Sequence, residues 1–224
     1  MKRILIPGFA TGPSLFSAWP DLTGCEVLKN LTNSWQETKQ ALSERSAGQK
    51  LHIFGWSLGA LFGLRWALEN QDSVGSLFLT GATARFTRKD GYDAGAAEQT
   101  LKDMIRLVPS KRELVMRNFF SSFMDAVPER KTVLENLMTN CPGTDSLLAG
   151  LSELLETDLL DGLPGLRIPI RIVQGSGDRI TPPAGAAWIA DRVASAKLEF
   201  IEGGHGLFLE KPGKLEKEWI SWTN

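Results

Sequence analysis

The chain has 224 residues, 25 Lys and Arg against 26 Asp and Glu, with 42% hydrophobic and 23% charged positions. That length holds one large domain or two small ones, and the composition is that of a folded globular protein rather than a disordered or fibrous one. A net charge of −1 supplies no cation surplus for nucleic acid, and two cysteines (Cys25, Cys141) and two histidines (His52, His205) in no metal-ligand spacing argue against a zinc site, an iron–sulfur cluster or a disulfide framework.

In chain order, short β-rich runs alternate with helical patterns, the signature of a parallel sheet flanked by helices. A first strand is expected over 2–6, stopped by Pro7-Gly8. Those two residues, with Gly12 and Pro13, break the apolar run behind Met1-Lys2-Arg3 before it reaches signal-peptide length. Met1 is therefore expected in or very near the mature protein, and a cytoplasmic location with reduced thiols follows. No run approaches the roughly 20 apolar residues of a membrane helix. A weaker strand follows at 25–28. Ser34, with Glu37 three residues on, reads as a capping box opening a helix to about 46. A strand at 51–54 leads to a helix over about 57–70, and a strand at 74–80 ends at Gly81.

From about 83 to 157 no buried strand is expected. Amphipathic helical stretches appear instead at 95–107, 111–123, 128–140 and 144–156, separated by Pro109, Pro128 and Cys141-Pro142-Gly143. Alternation resumes with a strand at 170–174, a helix at 183–193, a strand at 197–201 and a helix at 214–222. The expected architecture is one α/β core (1–82 and 158–224) of about six parallel strands with helices on both faces. A helical cap, 83–157, is inserted after the fourth strand.

The chemistry concentrates at three loops. Gly55-Trp56-Ser57-Leu58-Gly59 lies between a strand and a helix, the context of a nucleophile elbow, and its tight turn excludes side chains at the glycines. The plainer alternative is a helix opening with Ser57 as N-cap. A serine hydroxyl needs a base. His52 lies within a strand, where a structural role is expected, whereas His205, in Gly203-Gly204-His205-Gly206, follows a strand's carboxyl end, where open parallel sheets place functional groups. Asp178, in Gly175-Ser176-Gly177-Asp178-Arg179, follows the preceding strand and suits the carboxylate that orients the imidazole. Its plainer alternative is an Asx-turn residue. The chain order Ser57, Asp178, His205 is that of α/β-hydrolases. The backbone N–H groups of Leu58 and of Phe9, in the Pro7-Gly8-Phe9-Ala10 loop, are the candidate oxyanion donors.

On these residues the chain resembles the α/β-hydrolase superfamily over nearly its whole length. Gly55-Trp56-Ser57-Leu58-Gly59-Ala60 and the stretch 148–170 are most similar to the pimeloyl-[acyl carrier protein] methyl ester esterases of biotin synthesis. The resemblance implies a serine carboxylesterase that frees the carboxylate of a carrier-linked acyl chain through an acyl-enzyme, with no cofactor and with acyl carrier protein as partner. It also implies a carrier-binding role for cap cations, for which Arg85, Arg88, Lys89, Arg106, Lys111, Arg112 and Arg117 are candidates. Interspersed acids such as Asp90, Asp103 and Glu113 equally suit a solvated helix face. Trp56, Phe119, Phe120 and Phe123, with Met124, are candidates for an acyl channel or for the cap's own core. The chain departs from the family in carrying Pro7-Gly8 where His-Gly is usual, and in lacking two strands ahead of the first. Two rival functions stand beside this one: a hydrolase or lyase of the same fold acting on a free small ester, thioester or diketone, and a non-catalytic ligand-binding protein on the same scaffold.

Overall fold

Strands buried on both faces read as largely apolar runs, and two of the most completely buried strands form the middle of the sheet. In the computed structural model, which describes residues 2–17, 19, 22–29, 33–211 and 213–223, these are β3 (Leu51–Trp56) and β4 (Val74–Thr80). Around them lie β1 (Lys2–Ile6), β2 (Cys25–Val27), β5 (Ile170–Gly175) and β6 (Ala196–Ile201). All neighbours pair in parallel, in the order β2-β1-β3-β4-β5-β6. The half-exposed edge strands β2 and β6 carry Glu26, Lys197 and Glu199 among their apolar residues. The fold class is thus a six-stranded parallel α/β sheet, as the alternation implied; Met1 lies outside the described residues.

This order matters for function. From β1 the chain steps outward to β2, then crosses back to β3 on the other side of β1. The direction of winding reverses between β1 and β3, and the loops leaving their carboxyl ends open a crevice there. Those loops carry Phe9 and Ser57.

The α-helices among the described residues are α1 (Trp35–Ser46), α2 (Leu58–Glu69), α3 (Glu98–Ser121), α4 (Arg130–Thr139), α5 (Thr144–Glu156), α6 (Pro183–Arg192), the single turn α7 (Leu207–Glu210) and α8 (Lys214–Trp222); α3 packs on α4 and α5. Three departures from the sequence reading have identifiable causes. Ser34 is the N-cap of α1 but makes no side-chain capping bond; the Trp35 N–H instead donates to Glu153 Oε1 at 3.0 Å. The stretches 95–107 and 111–123 are one bent helix, α3. Pro109 has no N–H to bond back to residue 105, and the backbone leaves helical geometry two residues later, at Lys111 (φ −135°, ψ 33°). That helix also starts three residues late, because 86–96 form a small ribbon closed by Arg88 N–H to Ala96 O (3.0 Å) and Ala96 N–H to Phe86 O (2.7 Å). Gly95 permits the ribbon: a Cβ there would stand 2.5 Å from the Thr87 carbonyl carbon. Among the described residues no helix is long and apolar enough to cross a membrane.

Candidate active site

Strand β3 continues two residues past Phe54, since Gly55 and Trp56 stay in register with Leu79 and Thr80 of β4. The chain then turns sharply at Ser57, whose φ of 56° lies in the left-handed region that a non-glycine residue rarely occupies. The surrounding glycines make the turn possible. A Cβ on Gly55 would come within 2.6 Å of Gly59 O, and one on Gly59 within 2.1 Å of Ile6 O. The start of α2 is therefore pressed against the end of β1, and Ser57 is held at the crevice where the winding reverses.

Three loops bring the candidate residues Ser57, Asp178 and His205 together. Ser57 Oγ lies 3.0 Å from His205 Nε2, and His205 Nδ1 lies 2.9 Å from Asp178 Oδ2. With the imidazole proton on Nδ1, that nitrogen donates to the carboxylate and Nε2 accepts from the serine. All three side chains are buried. The two oxygens of Asp178 divide their work. Oδ1 accepts the backbone N–H groups of Ile180 and Thr181, both at 2.9 Å, which is the Asx turn; Oδ2 faces the histidine. The Asx turn and the contact with His205 thus use different oxygens of one carboxylate. Burial by itself pushes the Asp178 carboxyl up, yet the His205 ring and the Thr181 hydrogen bonds outweigh it and hold the group below the usual carboxylate range.

Two polar side chains that sequence reasoning passed over complete this network. Thr181 Oγ1 donates to Asp178 Oδ2 at 2.8 Å and lies 3.1 Å from His205 Nδ1. Gln174, fully buried at the end of β5, donates its amide to Asp178 Oδ2 (2.9 Å) and to Thr181 O (3.0 Å), while its Oε1 accepts the N–H of Ala82 (3.0 Å). The available signal was a lone amide inside the apolar run Ile170–Gly175. His52 stands apart from these residues: its Nδ1 lies 2.6 Å from Ser76 Oγ on the paired strand β4, and burial pushes its pKa down.

Phe9 follows β1 and Leu58 opens α2. Among the described residues no hydrogen bond takes up either backbone N–H. The next residue, Ala10, adopts φ 61° and donates its N–H to Asn33 Oδ1 at 3.0 Å. Asn33 in turn donates to Ser146 on α5, tying this loop to the helical insertion. Two cavities meet at Arg179-Ile180. One, about 300 Å³, includes Ser57 and is lined mainly by apolar side chains such as Phe9, Met104, Phe119 and Leu151. The other, about 480 Å³, includes His205 and Phe123 and has a more polar wall with Asp125, Glu202 and Lys211.

The remaining candidates fall in varied places. Trp56 is buried beside His205, and Phe123 packs on both, with ring centroids 5.8 and 5.7 Å away. Phe119 faces the Ser57 cavity, whereas Phe120 is fully buried within the insertion. Arg85 and Lys89 share Asp158, at 3.0 and 2.5 Å. Arg112 holds the carbonyls of Cys141 and Pro142 (2.7 and 2.6 Å), and Arg117 pairs with Glu135 at 3.0 Å. Arg106 pairs with Asp103 at 3.1 Å, Lys111 sits at the bend of α3, and Arg88 lies on the rim of the Ser57 cavity. No group of three or more potential metal ligands occurs among the described residues.

The α/β hydrolase fold family matches residues 38–212, and the chain belongs to that family. It is accordingly a hydrolase. The chain is 32% identical to a pimeloyl-[acyl-carrier protein] methyl ester esterase of Aromatoleum aromaticum over 71% of its own length and 68% of that protein. It is 27% identical to an AB hydrolase superfamily protein of Bacillus subtilis over 77% and 66%. It thus spans about two thirds of the length of these relatives. Among solved structures, an esterase from Exiguobacterium antarcticum superposes with a TM-score of 0.87 at 20% identity, covering 99% of this chain and 91% of that one.

Proposed function

We propose that the protein is a serine carboxylesterase and that its substrate is the methyl ester of an acyl chain borne by acyl carrier protein, as in pimeloyl-[acyl carrier protein] methyl ester. The observation that carries the esterase reading is the chain of contacts Ser57 Oγ to His205 Nε2 (3.0 Å) and His205 Nδ1 to Asp178 Oδ2 (2.9 Å), bordering an apolar cavity. The substrate reading is supported by relatives of that name at 26 to 32% identity.

Ser57 Oγ attacks the ester carbonyl as His205 Nε2 takes its proton. The Phe9 and Leu58 N–H groups receive the oxyanion, and Asp178 stabilises the imidazolium that forms. His205 then returns the proton to the departing methoxide, and methanol leaves. A water deprotonated by the same nitrogen attacks the acyl-enzyme, which releases the free acid and restores Ser57. In this reading 83–157 form a cap over the core 1–82 and 158–224, and the reaction belongs to cytoplasmic biotin synthesis.

One observation favours a second reading, a free small ester as substrate. Arg85, Arg112 and Arg117, three of the cap cations suited to a carrier, are engaged in internal contacts. Turnover of pimeloyl-carrier methyl ester against free short-chain methyl esters separates the two. Higher kcat/KM on the carrier-linked ester, and growth of a biotin-requiring bacterium lacking its own methyl esterase, are expected. Equal efficiency on both esters, with no growth, leaves the free-ester reading.

A further inference from the structure

Two arginines border the cavity that contains Ser57, and they are the only charged groups among its described lining residues. Arg88 projects from the 86–96 ribbon. Its Nε donates to Gly95 O at 2.8 Å, so one edge of the guanidinium is fixed and its terminal N–H groups remain available. Arg179 directly follows Asp178. Neither arginine has a carboxylate partner among the described residues.

Two acids of the site are committed to other partners, and Asp125, Glu202 and Glu210 of the adjoining cavity form no ion pair with Arg179 among the described residues. Asp158 is taken by Arg85 and Lys89, and the buried carboxylate of Asp178 by His205, Thr181, Ile180 and Gln174. Two unneutralised guanidinium groups on the rim of an otherwise apolar cavity suit a ligand with an apolar middle and an anionic end.

We propose that Arg88 and Arg179 form an anion-binding rim for the Ser57 cavity, so that the preferred ester carries a carboxylate or phosphate at a distance from the scissile carbonyl. This deepens the esterase reading and rests on it for the position of the carbonyl. The anchoring of Arg88 on Gly95 lowers the ordering cost of binding, since the fork is oriented before the ligand arrives. The anion has two chemical sources: the free carboxylate of a dicarboxylate half-ester, or the phosphodiester of a carrier's prosthetic arm.

The test pairs each anionic substrate with a neutral counterpart: monomethyl pimelate against dimethyl pimelate, compared per methyl ester, and methyl pimeloyl phosphopantetheine against methyl pimeloyl pantetheine. Binding to the Ser57→Ala protein is measured by calorimetry, and kcat/KM is measured on the intact enzyme. The anionic member of at least one pair is expected to bind about tenfold or more tightly, with the preference shrinking as salt is added. In Arg88→Gln and Arg179→Gln proteins of unchanged thermal midpoint, the anionic-to-neutral ratio of kcat/KM falls by about ten- to a hundredfold. The pair that shows the preference identifies the source of the anion. Equal binding within both pairs, or a ratio unmoved by both substitutions, overturns the proposal. An anion preference in binding without turnover of any ester keeps the rim and removes the esterase reading. Turnover of dimethyl pimelate without any anion preference does the reverse.

Discussion

The indole Nε1–H of Trp56 donates to the backbone carbonyl of His205 at 2.9 Å, so the residue just before Ser57 holds the loop that carries His205. The two residues are 149 positions apart in sequence. Gly81 packs against the same pair, and a Cβ there would stand 2.9 Å from the His205 ring and 3.3 Å from the Trp56 ring. Trp56→Phe keeps most of the packing and removes the donor. It is expected to lower kcat by about three- to tenfold with KM little changed, and to cost about 1 kcal/mol of stability. Steady-state kinetics beside urea denaturation checks this; an unchanged kcat means the indole only fills space.

Ser57→Ala is expected to reduce hydrolysis by about 10⁵-fold or more, because the base and the oxyanion donors have no nucleophile to serve. Its thermal midpoint should stay within about 2 °C of the wild type, since only a hydroxyl is lost from a residue that keeps its strained φ. A fluorophosphonate adduct on Ser57 in the wild type, absent in the variant, is the direct readout. Labelling elsewhere in the folded protein would point to a different nucleophile.

Asp178 carries a pH signature. Its pKa is lowered in the folded protein, so its contribution to stability is complete above the ordinary carboxylate value of about 4 and is lost as pH falls through the lowered folded value. The stability gap between the wild type and Asp178→Asn, from urea midpoints, should be widest at neutral pH and narrow below about pH 4. A gap that stays constant down to pH 3 would falsify the assignment of charge to this group. The same variant should lose about 10⁴-fold in kcat through the wrong imidazole tautomer.

Gln174→Leu tests the buried amide. It leaves the Ala82 N–H without its acceptor and removes one donor from Asp178 Oδ2. Each buried group so orphaned costs about 1–3 kcal/mol. With the aspartate less well oriented, kcat should fall by more than KM rises, and Gln174→Glu should restore neither. Loss of stability with unaltered kcat would make Gln174 a structural residue only.

Gly59→Ala places a methyl group 2.1 Å from Ile6 O, a contact that only backbone movement relieves. The variant is expected to lose more than about 3 kcal/mol or to fail to accumulate as folded protein, read from its thermal midpoint and soluble yield. Gly63→Ala, where the nearest atom to the added Cβ is a side-chain methyl at 3.5 Å, is the matched control and should be tolerated.

Much of this was present in the order of residues. Alternating apolar runs specified a parallel sheet because strands covered on both faces have no polar alternation to keep. The glycines about Ser57 specified the elbow, because no other residue fits where α2 meets β1. Candidate residues Ser57, Asp178 and His205 were legible because each follows a strand's carboxyl end, and parallel strands bring such ends to one edge. Other features depended on contacts between distant segments, which carry no local pattern. The replacement of the Ser34 cap by Glu153 and the holding of the Ala82 N–H by Gln174 were of this kind. Charge illustrates the division most clearly. The sequence by itself determined that the cations of 83–157 are numerous and interspersed with acids. Only the tertiary structure decided which of them are used up. Arg85 meets Asp158 across 73 positions, whereas Arg88, three residues later, is turned to the Ser57 cavity by a hydrogen bond to Gly95. Ion pairing depends on the distance between charges in space, and the fold alone sets that distance.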